Sequence, residues 1–375
     1  MWAPRLAVLT KWAAVALAMV ILGSLPALAR GLPSPGTSGE SAASLVARIR
    51  ASGPVGFSGY AESHGTLAVP DAAQLGDLPS LLGDTTRMRA WWASGAQWRV
   101  DVIGPLGEKD TYGLPGGTWD WDSERGRATV VEGEPPVRVP RAADLLPSTL
   151  GRRLAGAASV ARLSRLPAHR ISGHDAQGVR LAPTSLTTVD HVDIWADNRT
   201  AVPLQVQITA RGATRPTISS AFLTISLRTP AATTTTFSPP PDAITSQVSA
   251  ADLQGLLGRL FRVPYPRQLA GLQATEALPG EAGVATYGDA LGLLAVATLA
   301  NSDADHFADA LKGRATPVPI AGMPQARALA IGTPLITALL VSTRHSDILL
   351  AGTLPAATLQ RAYLDLVRQL RAGQT

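Results

Sequence analysis

Residues 87–132, RMRAWWASGAQWRVDVIGPLGEKDTYGLPGGTWDWDSERGRATVVE, constrain the fold more than any other stretch of the chain. Five of the eight tryptophans fall here: Trp91, Trp92, Trp98, Trp119 and Trp121. With a period of two, Met88, Ala90 and Trp92, then Trp98, Val100 and Val102, share one face, whereas Arg87, Arg89, Arg99 and Asp101 share the other. That alternation belongs to an antiparallel sheet with one apolar face. The breaks at 93–96 (ASGA), 104–107 (GPLG), 114–117 (LPGG) and 123–126 (SERG) are short and rich in turn residues, so successive strands should be hairpin neighbours. Trp91 falls on the Arg89 face, where packing under residues 70–84 is expected. The apolar face needs a cover, and the nature of that cover decides what the chain can do.

A chain of 375 residues suffices for two domains with sizeable cores. Its formal charge is +5, of which Arg5 and Lys11 supply two, leaving +3 on the remainder. Lysines and arginines are scattered, with no basic run or helix, so a nucleic-acid footprint is not expected. The absence of cysteine excludes disulfides, thiol catalysis and Cys-ligated metal. Arg5 and Lys11 precede an apolar run at 12–25, and Pro26-Ala27-Leu28-Ala29 offers a small-residue cleavage site. Residues 1–29 therefore read as a signal peptide or, uncleaved, an N-terminal membrane anchor. Either form places the remainder outside the cytoplasm, secreted or anchored to the outer face of the cytoplasmic membrane.

Residues 30–40 form a Pro/Gly/Ser tether. Leu45, Val46 and Ile49 then share a helical face behind Ser41 as N-cap. A strand is expected at 55–68, a weak helical turn at 75–82, and after the tryptophan-rich stretch a helix in the second half of 144–157, the natural cover for the sheet. Strand patterns return at 160–166, 179–181, 189–196, 202–211 and 218–229. Residues 230–242, PAATTTTFSPPPD, are the clearest shift in composition. The expected division is a first domain at 41–240, a linker with a helix (249–261) at 241–264, and a smaller α+β domain at 265–375. In that last part, strands at 282–287, 291–299, 327–331, 335–343 and 347–352 precede a helix striped by Leu359, Tyr363, Leu366, Val367 and Leu370.

No hydrolase, phosphate-binding, zinc or dinucleotide motif is present. His191 and Asp193 alternate with Val192 and Ile194 and read as a solvated strand face, two ligands without a third. Asp303, Asp305 and His306 read as a solvated loop without calcium-loop spacing. Asp120 and Asp122 could be paired carboxylates, but any exposed strand face gives the same spacing. The expectation is therefore no catalytic residue, no metal and no cofactor, with a secreted hydrolase as a remote alternative.

Several short motifs carry a resemblance. The leader and short helix are followed by Phe57-Ser58-Gly59-Tyr60; then come 99–103 (RVDVI), Gly117-Thr118-Trp119-Asp120-Trp121, and a hairpin made of 192–197 (VDIWAD) and 201–206 (AVPLQV). In this order they resemble the LolA-like lipoprotein-carrier and RseB-like sigma-E regulatory families. Tyr287-Gly288-Asp289-Ala290-Leu291, followed late by 350–355 and a helix, is similar to the second RseB-like domain. The resemblance covers about 40–370; residues 70–84 have no counterpart in it. It implies an α+β fold: a curved antiparallel half-barrel covered by helices, plus a smaller C-terminal α+β domain. It also implies non-enzymatic binding of lipid or lipoprotein acyl chains, with a role in envelope sensing or lipoprotein handling. By strand parity the pocket wall would be Met88, Trp92, Trp98, Val100, Val102, Val192, Ile194, Leu204, Val206 and Ile208. In the alternative, the pocket is filled by its own side chains and the chain is an interaction module for a membrane-bound regulator such as an anti-sigma factor.

Overall fold

Alternation with a period of two becomes a meander. The computed structural model of the chain describes residues 36, 38–70, 76–104, 107–133, 138, 140–250, 265–275, 283–344 and 346–372. The expected leader and most of the tether lie outside these residues. After β1 (Phe57–Gly65), strands β2 (Thr85–Ser94), β3 (Gln97–Ile103), β4 (Glu108–Leu114), β5 (Gly117–Asp122) and β6 (Arg127–Glu132) pair antiparallel in succession, their turns falling at the expected breaks. Strands β7 (Ala161–Ile171), β8 (His174–Pro183), β9 (Val189–Asp197), β10 (Pro203–Ala210) and β11 (Ile218–Ser226) form a second meander, and β11 closes onto β1. Both belong to one twelve-stranded sheet.

The twelfth strand, β12 (Ile244–Ser249), was not legible. It pairs parallel with β6 at the sheet edge, and its side chains are almost all exposed. Ser249 thus ends a strand. The helix expected at 249–261 lies otherwise outside the described residues, apart from Ala250.

Helix α1 (Ala42–Ala51) is set by Ser41, whose Oγ accepts from the Ser44 N–H, and buries Leu45, Val46 and Ile49. Helix α2 (Leu78–Gly83) buries Leu81 and Leu82. A 3-10 turn at Ala142–Leu145 leads into α3 (Pro147–Ala155), as the sequence pattern requires of the cover. Gly151 allows that cover to come close: a Cβ there would stand 2.6 Å from the Pro203 Cβ. One core joins α1 and α3 to Val179, Leu181, Val192, Ile194, Val206 and Ile208. A second joins Leu145 and Leu146 to Phe57, Met88, Trp92, Val100, Leu204 and Phe222.

The β9–β10 hairpin turns on Asp197. Its Oδ1 accepts from the N–H groups of Arg199 and Thr200 and from the Thr200 hydroxyl, at 3.1, 2.7 and 2.7 Å, while Ala201 takes a left-handed φ of 57°. Asp197→Ala should lower unfolding free energy by about 2 kcal/mol in urea titration, and Asp197→Asn by less. Equal stability of wild type and Asp197→Ala would show the turn to be set elsewhere.

A separate six-stranded sheet runs in the order β15-β16-β20-β19-β18-β17. Its strands are β15 (Val284–Gly288), β16 (Leu293–Leu299), β17 (Thr316–Pro317), β18 (Arg327–Gly332), β19 (Thr337–Ser342) and β20 (Asp347–Gly352). A short pair, β13 (Gln268–Leu269) with β14 (Leu272–Gln273), stands beside it. Helix α4 (Asn301–Ala310) replaces the loop expected around Asp303 to His306; it buries Ala304 and Phe307 against Leu340. Helix α5 (Ala356–Ala372) buries Leu359, Ala362, Tyr363 and Leu366, the expected stripe, with Val367 and Leu370 partly buried beside it. Thr188 donates from its N–H to the Thr353 carbonyl and from its hydroxyl to the Leu335 carbonyl, while Leu291 and Leu335 enter the core under α1 and α3. The fold is α+β, with a large, mainly antiparallel sheet and few helices.

Candidate functional site

The ten residues expected to line an acyl pocket do share the inner face, and most are covered. Met88, Trp92, Val100, Val192, Ile194, Leu204, Val206 and Ile208 are all buried; Trp98 and Val102 are half-buried. They divide into two groups: Val192, Ile194, Val206 and Ile208 lie under α1 and α3, and Met88, Trp92, Val100 and Leu204 lie beside Leu145 and Leu146, with Trp98 at the margin. Phe57, Trp92 and Trp98 form a parallel stack, with ring centroids 5.9 Å apart at both steps. The Trp92 Nε1–H donates to the Gly53 carbonyl. Gly113, opposite Trp98 on β4, makes room for its indole, since a Cβ there would come within 2.2 Å of the ring.

Val102 is the one of the ten that lines an open cleft. Through the strand registers the face of Met88 and Val100 continues into Thr111, Asp120 and Thr129. There it is polar and uncovered. A cleft of about 970 Å3 lies over it, walled by Asp77, Ser80 and Leu81 at α2 and by Arg138, Pro140 and Arg141 ahead of the 3-10 turn. Five basic and seven acidic residues line the cleft. Asp120 accepts from the Thr111 hydroxyl at 2.9 Å and faces Arg141 at 3.9 Å. Asp122 accepts from Arg125, which holds its carboxyl below the usual range. Lys109 pairs with Asp77 at 3.0 Å. The Asp120–Asp122 spacing therefore serves ion pairs and a hydroxyl contact.

The parity of β5 puts Trp119 and Trp121 on the face opposite to Asp120 and Asp122, although Trp121 still borders the cleft. Phe237, from the stretch of shifted composition at 230–242, lies on Tyr112, Trp119 and Trp121 with centroid distances of 4.6, 5.6 and 6.1 Å. The Arg99 guanidinium covers Trp91 at 5.1 Å; of the segment expected over it, residues 71–75 lie outside the described residues. Arg99 also donates to Asp101 and Asp110 at 2.5 and 3.0 Å, and Arg89 stands 3.4 Å from Glu108. One oxygen each from Asp101, Glu108 and Asp110 lies within 4.8 Å of the others. Three carboxylates could in principle share a cation, but two guanidiniums already stand against this set. Asp101 is 1% exposed. Burial pushes its pKa up to about 7, with the Arg99 hydrogen bond opposing and the Asp110 charge assisting.

Asp193 is not on a solvated face. It is buried and receives both Nε and Nη2 of Arg180 at 2.7 Å, a partner contributed by the neighbouring strand. His191 pairs with Asp190 at 2.7 Å. None of these groups combines a nucleophile with a base.

No family model and no curated protein matches the chain. Among solved structures it is similar to MucB in the Pseudomonas aeruginosa MucA/MucB complex, with 13% identity, 86% of this chain and 96% of that one covered, and a TM-score of 0.48. It is also similar to an uncharacterized conserved protein from Thermus thermophilus, with 7% identity, coverage of 54% and 96%, and a TM-score of 0.34. A LolA superfamily protein from Nitrosomonas europaea aligns at 13% identity, coverage of 53% and 99%, and a TM-score of 0.24. MucB is an RseB homologue, and the Nitrosomonas europaea protein carries the LolA name.

Proposed function

We propose that this chain is a non-enzymatic extracytoplasmic binding protein whose polar cleft receives an extended, charge-mixed segment of a protein partner. A membrane-bound regulator such as an anti-sigma factor presents a segment of that kind. One observation carries the reading: the inner face is filled by the chain's own side chains under α1 and α3, and opens over β3 to β6, where it is polar and carries charges of both signs. Such a surface suits backbone and charged side chains better than an acyl chain. The proposal includes the half-barrel curvature of the large sheet and a separate domain at 265–375. Among the described residues no helix is long and apolar enough to cross a membrane.

A photo-crosslinking residue at Thr111, in the cleft, tests this in host cells, with Leu223, 52% exposed on β11, as the control position. The expected result is a defined adduct with the extracytoplasmic part of one membrane protein from Thr111 and none from Leu223. Adducts from both positions alike, or from neither, would sink the reading. A second reading, the holding of acyl chains between sheet and helices, is supported by the aromatic stack and by a half-buried arginine placed above it.

A further inference from the structure

The outer face of β3 and β4 gathers more negative charge than its arginines answer. Asp101 and Asp110 are direct cross-strand partners, and Glu108, opposite Ile103, lies diagonally from Asp101 on the same face. Arg99 pairs with both aspartates and Arg89 with Glu108, so three carboxylates meet two guanidiniums. One negative charge is left over.

Arg99 takes only one oxygen of each aspartate. Its Nε donates to Asp101 Oδ1 and its Nη2 to Asp110 Oδ2, to which the Tyr112 hydroxyl also donates at 3.4 Å. The remaining oxygens, Asp101 Oδ2 and Asp110 Oδ1, are withdrawn from solvent and have no hydrogen-bond partner, on residues that are 1% and 8% exposed. Glu108 Oε1 also lacks a hydrogen bond; Arg89 stands 3.4 Å off, and its half-exposed side chain can turn toward water. Desolvated carboxylate oxygens without partners are costly. In the ion-free chain a proton takes part of that charge, because burial pushes the Asp101 pKa up to about 7. A cation shared by the three carboxylates would answer every orphaned oxygen at once.

We propose that Asp101, Glu108 and Asp110 bind a calcium ion, with water completing its coordination. One oxygen from each residue lies within 4.8 Å of the others. Oxygens at about 2.3–2.6 Å from calcium stand at most about 4.6–5.2 Å apart across it, so the set fits that ion as it stands. Magnesium, with oxygens at about 2.0–2.1 Å and a stricter octahedron, fits it less well. Glu108 and Asp110 also border the cleft, which gives the ion a way in. The inference does not depend on what the cleft receives.

Terbium luminescence excited through tryptophan tests it on the full chain, stripped of metal with a chelator and held at about pH 8, above the range in which Asp101 keeps its proton. Trp121 pairs with Asp110 across β4 and β5, close enough to sensitise an ion held there. The expected result is saturable emission at one equivalent, displaced by calcium at concentrations about tenfold or more below those of magnesium at equal ionic strength. Glu108→Gln and Asp101→Asn should each weaken calcium about tenfold or more, and Asp305→Asn, exposed on α4, should not. Calcium should also raise the thermal midpoint of the wild type and not that of Glu108→Gln. Should Asp101→Asn fail to fold, Glu108→Gln, at a partly exposed side chain, still decides. Absence of saturable emission, or calcium affinity unchanged in Glu108→Gln, would overturn the site. Equal weakening in Asp305→Asn would reduce the binding to general surface charge and overturn it too. Magnesium competing as well as calcium would overturn the assignment to calcium.

Discussion

Replacing Trp92 with alanine is expected to lower the unfolding free energy by about 4 kcal/mol, the range of large aromatic truncations in a core. Trp92 is 7% exposed and lies between Phe57 and Trp98 at 5.9 Å from each. Its loss opens the centre of the stack, strands the Gly53 carbonyl it serves, and removes the ring beneath Arg152. An aromatic of this size removes ~150–250 Å2 from water, and the neighbours it leaves are held by two strands and a helix, so collapse into the space is limited. Trp98→Ala should cost less, because Trp98 is half-buried and borders solvent. Denaturant titration of the two variants distinguishes the cases; equal losses would mean that the stack does not anchor the sheet.

Asp101→Asn is expected to flatten the pH dependence of stability. The folded-state pKa of Asp101 is raised to about 7, above its unfolded value near 3.8. The folded chain therefore holds a proton that the unfolded chain releases. That contribution is fully present below about pH 4 and is lost as pH rises through about 7. In the wild type, unfolding free energy should fall between pH 5 and 7 with a slope approaching about 1.4 kcal/mol per pH unit. In Asp101→Asn most of that slope should disappear. Asp110, raised in the same direction by burial, leaves a residue of it. Persistence of the full slope in the variant would place the titrating proton elsewhere.

What was legible in the sequence follows from local periodicity. The registers of β2 to β6, the Ser41 cap, the cover at 142–155 and the stripe of α5 all arise from spacing within one segment. What was not legible depends on long-range partners. Asp193 reads as solvated until Arg180 arrives from β8, and the polar run 244–249 reads as linker because an edge strand has no apolar face to bury. Phe237 sits in a Pro/Thr-rich stretch, yet it covers the outer tryptophans.

The cleft is illegible in the sequence for a more specific reason. Parity equates the apolar side of a strand with the inside. In β5 that equation reverses: Trp119 and Trp121 lie outside under Phe237, and Asp120 and Asp122 point to the inner face. Val102, at the junction, was the one expected wall residue that borders the cleft.

In the proposed function the polar cleft, rather than the covered apolar face, takes the protein partner. Once the segment captured from Thr111 is identified, its affinity for the purified chain is the decisive quantity, measured for the wild type and for Arg141→Glu and Lys109→Glu, which reverse charges on two different elements lining the cleft. A loss of about tenfold or more is expected in at least one variant, growing weaker as salt is raised. Unchanged affinity in both, at low and high salt, would contradict it.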